Sequence, residues 1–164
     1  MENTELTQEE FNLYNPAYTG FLIYSLLREF DNMDRNGINP ALIYLCLPLI
    51  LNKGLSTKLP SSYKTSLIAW LVDNETLLIN FSQRINSFFD ITQNAMDFLF
   101  ENKLLEVTPD NNIMFVKSKL AKSPAMFEKS NTMKRQLSAS KLLGKWLAVS
   151  PDAATIYSVL GIRP

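Results

Sequence analysis

Histidine is absent from the 164 residues, and cysteine occurs once, as Cys46. The first absence removes the commonest general base and the imidazole metal ligand together. The second excludes an internal disulfide and any thiolate zinc site. Cys46 lies in the apolar run Tyr44-Leu45-Cys46-Leu47-Pro48, where a buried, inert thiol is expected. Glycine is sparse as well. Gly20, Gly37, Gly54, Gly144 and Gly161 stand far apart, so neither a Gly-rich phosphate loop nor a dinucleotide fingerprint can be written. No cofactor or metal is expected by these routes, and the chain reads as non-catalytic.

Net charge is missing too, because 16 Lys+Arg cancel 16 Asp+Glu. No global field draws the protein to nucleic acid or membrane, and any such attraction has to be local. The longest apolar stretches, near residues 21–27 and 41–51, are too short or too interrupted for a membrane span of roughly 20 residues. The opening Met1-Glu2-Asn3-Thr4-Glu5 is acidic, the opposite of a secretory signal, so a cytoplasmic location is expected.

What is present is a 46% hydrophobic chain, enough to bury a core, and a single domain over 1–164 is expected. Residues 1–14, with Glu2, Glu5, Glu9 and Glu10, read as a peripheral arm. Asn15-Pro16 and Asn39-Pro40 are helix starts, since proline suits the first turn, where its missing N–H costs nothing. The first helix carries Phe21, Leu22, Leu26, Leu27 and Phe30; the second carries Ile43, Leu47 and Ile50, with Pro48 expected to kink or limit it. Ser61-Ser62 offers a cap for a helix holding Leu67, Trp70 and Leu71, and Ser66 is expected to support a helix start. A further helix is expected over 75–89.

Asp90 is a candidate N-cap for a helix with Ile91, Ala95, Phe98 and Leu99 on one face. Next, Leu104–Thr108 and Ile113–Val116 flank Pro109-Asp110-Asn111-Asn112, turn chemistry between two β-prone runs, which predicts a hairpin. A helix followed by a hairpin is the order of a winged helix-turn-helix, with residues 91–103 in the recognition position. The fold class expected is therefore mainly α with a small β-hairpin, winged-helix-like. Helices over 129–149 and 153–160 complete the chain.

Two carboxylate pairs, Asp31 with Asp34 and Asp97 with Glu101, can share a helical face, where solvated surface acids are expected rather than an acid/base couple. The candidate recognition helix carries Asp97 and Glu101 against Lys103, a poor balance for approaching phosphate. The strongest local charge lies downstream. Residues 117–145 hold Lys117, Lys119, Lys122, Lys129, Lys134, Arg135, Lys141 and Lys145 against the single acid Glu128. Lys134, Lys141 and Lys145 fall on one helical stripe, with Met133, Leu137 and Leu147 available to the core. A solvated face is the plain account. The functional one makes Lys129, Lys134, Arg135, Lys141 and Lys145 contacts to an acidic protein or to the DNA backbone. Trp70 and Trp146 are expected in the core, with an interface role for Trp146, beside Arg163, as the alternative. Gly161-Ile162-Arg163-Pro164, directly after a helix, is expected to dock.

Several of these segments together resemble a known family. They are Asn15-Pro16-Ala17, Leu47-Pro48-Leu49-Ile50-Leu51-Asn52-Lys53, Leu59-Pro60, Thr65 to Leu71, Gly144-Lys145-Trp146, and Ala154-Thr155-Ile156-Tyr157 through Gly161-Ile162-Arg163-Pro164. In this order they resemble the middle component of bacterial three-component ABC-ATPase systems, the Lamassu type of antiviral defence. Residues 86–131 show little of that pattern. The resemblance implies an adaptor that couples an SMC/Rad50-like ABC ATPase to an effector, often a nuclease, with DNA engaged through the complex. It assigns no catalytic residues. An autonomous winged-helix DNA-binding regulator is the alternative.

Overall fold

The computed structural model describes residues 14–34 and 36–163. Its first helix, α1 (Pro16–Met33), is the axis of the fold. Asn15 caps it, its side chain accepting from the Ala17 N–H at 2.7 Å, which satisfies an amide with no partner inside the helix. Leu22, Ile23, Tyr24, Leu26 and Leu27 are all fully buried, so α1 is covered on every side along its centre. Asn39 caps α2 (Pro40–Leu51) in the same way, accepting from the Ala41 N–H at 2.9 Å. Pro48 does not end this helix, which continues past it to Leu51. Asn52 then starts the short α3 (Lys53–Ser56).

Three expectations shift in the middle of the chain. Ser66, not Ser61-Ser62, caps α4 (Leu67–Asp73), accepting from the Ala69 N–H at 3.3 Å, while Ser62 accepts from Lys64 inside the preceding turn. The expected helix over 75–89 is two pieces, a 3-10 turn (Glu75–Leu78) and α5 (Phe81–Ser87). Phe88 closes α5 and opens α6 (Phe89–Glu101), so Asp90 lies inside the first turn of α6 and is no N-cap. The fully buried Phe88 ring sets the junction by packing, which replaces side-chain capping there. Tyr14, read from the sequence as part of an arm, packs its ring against Phe88 at 5.5 Å between centroids; residues 1–13 lie outside the described residues.

After α6 the chain turns through Asn102-Lys103. Lys103 takes a left-handed conformation (φ 57°), and the Leu104 and Lys103 N–H groups donate back to Leu99 and Phe100 carbonyls at 2.9 and 3.0 Å. This is the paired closure usually made with glycine. It launches β1 (Leu105–Val107), antiparallel to β2 (Ile113–Phe115) in the register Leu105 to Phe115 and Val107 to Ile113. The 109–112 turn forms as expected, with Asn111 at φ 61°. Ile38, between α1 and α2, adds a bridge to Ile113, its N–H and carbonyl each bonded at 2.9 Å. The order α1, Ile38 bridge, α2, α6, hairpin is compatible with a winged helix, with residues 52–87 inserted before α6.

A 3-10 turn (Ala125–Lys129) leads to α7 (Asn131–Ala148), which lies along α1, and α8 (Ala153–Val159) follows. Past α8, Gly161 (φ 68°) lets the Ile162 N–H reach the Tyr157 carbonyl at 3.0 Å, and Ile162 packs against the core. Docking of this segment is therefore observed as far as Ile162, and Arg163 beyond it is exposed. Among the described residues, no helix is long and apolar enough to cross a membrane.

Candidate interaction surfaces

The basic segment divides into tethered and open cations. Lys134 pairs with Glu128 at 3.1 Å and Lys145 with Glu29 of α1 at 3.8 Å. Lys141 donates to the Ser123 hydroxyl at 2.9 Å, and the Arg135 Nε donates to the Ser56 hydroxyl at 3.1 Å. The stripe Lys134, Lys141, Lys145 is thus engaged by other segments of the fold, at Glu128, Ser123 and Glu29, as well as by solvent. Lys129, at the end of its 3-10 turn, is exposed, and so are Lys117, Lys119 and Lys122 on the irregular return from the hairpin.

Trp146 is fully buried, which removes it from any contact surface. Its indole N–H donates to the Thr65 carbonyl at 2.6 Å, and its ring meets Trp70 edge-on at 5.5 Å. Trp70 likewise donates to the Lys58 carbonyl at 2.9 Å. The two indoles clamp the 58–66 loop onto α7, satisfying polar atoms that would otherwise be costly to bury.

The expected solvated pair Asp31 and Asp34 is different in kind. Asp31 is buried, accepts from the Phe115 N–H at 2.9 Å through Oδ2, and leaves Oδ1 without a partner. It ties the hairpin to α1. Burial raises its pKa to about 6, the Phe115 N–H acting against the rise and the Asp34 and Glu106 charges adding to it. The folded state therefore holds this proton above the unfolded value of about 4. Stability from this group is greatest below about pH 4 and falls as pH rises through 6. Asp31→Asn, which keeps an acceptor for Phe115, should stabilise the protein by about 1 kcal/mol at pH 7.5, after allowing for solvent screening, and not at pH 4. Urea melts at the two pH values check this; an equal difference at both would refute it.

Cys46 is buried, as expected. Burial pushes its thiol well above the usual range, and the Sγ donates to the Leu42 carbonyl. Tyr18 donates to the Gln136 side chain, and burial raises its pKa to about 12 against the opposing Arg135 charge. Among the described residues, no group of three or more Cys, Asp or Glu could hold a metal ion.

The sequence reading missed an apolar corner. Val72, Leu77 and Ile79 are 56%, 44% and 74% exposed around the turn from α4 into the 3-10 segment. The exposed face of α6 carries Asp90, Asp97 and Glu101, which would oppose approach to nucleic-acid phosphate.

Comparison with known proteins gives one match. The family model described as ABC-three component (ABC-3C) system Middle Component 3 matches residues 3–164. No curated protein matches the chain, and no solved structure does.

Proposed function

The chain belongs to the ABC-three component (ABC-3C) system Middle Component 3 family, and from that membership we propose that it is a non-catalytic adaptor joining an SMC/Rad50-like ABC ATPase to an effector, a nuclease in this reading. The complex would act in Lamassu-type antiviral defence in the cytoplasm. The observation that carries this is the family match across 3–164, nearly the whole chain. The missing histidine and the scattered glycines support a subunit that holds partners rather than one that performs chemistry.

The apolar corner Val72, Leu77, Ile79 is the surface best suited to a protein partner, because exposed aliphatic side chains gain most when a complementary face covers them. Co-expression of the three components with a tag on this chain should recover all three. Recovery of this chain alone at gentle salt overturns the adaptor reading. Val72→Asp with Ile79→Asp should remove one component from the pulldown while leaving the thermal midpoint of the isolated chain unchanged. Full retention of both components would reject the corner as the contact. An autonomous DNA-binding regulator has the helix-then-hairpin order in its favour, but the acids on α6 count against it.

A further inference from the structure

Arg28 is a buried cation. The residue is 7% exposed, and among the described residues neither ion pair involves it. Its guanidinium lies over the Tyr24 ring, 4.9 Å from the centroid, and one N–H reaches the Leu120 carbonyl at a long 3.4 Å. A guanidinium offers five N–H donors, and none of its nitrogens is among the buried atoms left without a partner. Arg28 lines the adjoining pocket of about 330 Å³ together with Lys117, Lys122, Ser118 and Asn32.

Among the described residues, no carboxylate lines that pocket. Asp31 is turned to the Phe115 N–H, and Glu29 is engaged by Lys145. The Lys141 amine is held below its ordinary range by desolvation first, with Arg28, Lys122 and Lys145 adding to the effect and Glu29 opposing it. A planar fork held by an aromatic face and flanked by two flexible ammonium groups is the donor set that suits a tetrahedral oxyanion.

We propose that this pocket between α1 and the 115–122 return chain, centred on Arg28, binds a phosphate group carried by a free nucleotide or by a nucleic-acid backbone. The site is independent of the adaptor reading, since it requires only the isolated chain. Its volume accommodates a phosphate and the sugar attached to it.

The full chain, isotopically labelled, is titrated at low ionic strength with inorganic phosphate, AMP, a short DNA duplex and a glutamate-rich peptide, and followed by amide NMR and calorimetry. Binding is expected to move the Ser118 and Lys122 amides. AMP binding tighter than the duplex assigns a nucleotide, and the reverse assigns a nucleic-acid backbone; either supports the site. Arg28→Met should weaken binding by about tenfold or more, the scale of a lost charged hydrogen-bonding group. Because that change also removes the stack on Tyr24, Lys117→Glu with Lys122→Glu, both at exposed positions, provides a second arm with the same expected loss. Lys58→Ala, an exposed lysine away from the pocket, should leave binding unchanged. No binding of any phosphate probe, preference for the peptide, or equal weakening by Lys58→Ala overturns the proposal.

Discussion

Gly144→Ala should lower the thermal midpoint by roughly 10 °C or more, the size expected when about 3–5 kcal/mol is lost from a chain of this length. A Cβ at residue 144 would lie 2.2 Å from the Leu26 carbonyl oxygen, 3.0 Å from the Leu26 carbonyl carbon and 2.9 Å from the Glu29 Cβ. Two of these are backbone atoms in the middle of α1, covered by core on all sides, so they cannot step aside. Relief requires α7 to lift from α1, and with it the Lys145 to Glu29 pair and the packing of Leu143 and Leu147. Alanine is the better helix former by about 1 kcal/mol, which offsets only part of the clash. Gly20 supplies the contrast. Its added Cβ would meet Ala95, Phe98 and Leu99 at 3.4 Å, the edge of ordinary contact. Gly20→Ala should therefore stay within about 1 kcal/mol of the parent. Calorimetry on both variants decides the matter, and a neutral Gly144→Ala would mean that α1 and α7 do not approach this closely.

Trp146→Ala is expected to cost about 3–5 kcal/mol, the range for emptying a large aromatic site in a core. Several losses act together. The side chain is fully buried, its edge contact with Trp70 disappears, and the Thr65 carbonyl loses its donor. Because native proteins hold only about 5–15 kcal/mol in total, this variant should be partly unfolded at physiological temperature. Trp146→Phe restores most of the volume without the N–H, so it should recover part of the loss. A double-mutant cycle with Trp70 should give a coupling of about 0.5–1.5 kcal/mol. Strict additivity would show that the two rings do not support each other, and would leave the 58–66 loop held by its hydrogen bonds alone.

The family resemblance ran through Gly144-Lys145-Trp146, and these three adjacent residues turn out to do three different packing jobs. Gly144 permits the closest helix contact, Lys145 pairs across it, and Trp146 closes the opposite side against the loop. A pattern of residue types could be read without any of that. Lys134, Lys141 and Lys145 were legible as a stripe, but that Glu128, Ser123 and Glu29 would engage them was not, because two of those partners lie well away in sequence. Asp31 was misread for the same reason. Its helix register places it near Asp34, while its burial depends on a hairpin reached only after residue 104.

Determined by the sequence alone were the features that local chemistry specifies: the Asn-Pro helix starts, the Pro109 to Asn112 turn, the mainly helical class with its hairpin, the buried thiol and the absence of imidazole chemistry. These depend on neighbours within a few residues, where backbone geometry and capping decide. The tertiary structure alone decided which charges remain open, and that Arg28 is buried beside a pocket rather than spread over solvent. Those outcomes depend on how α1 is enclosed by α6, α7 and the hairpin. The desolvation and pairing that enclosure imposes are long-range sums, which no window along the chain contains.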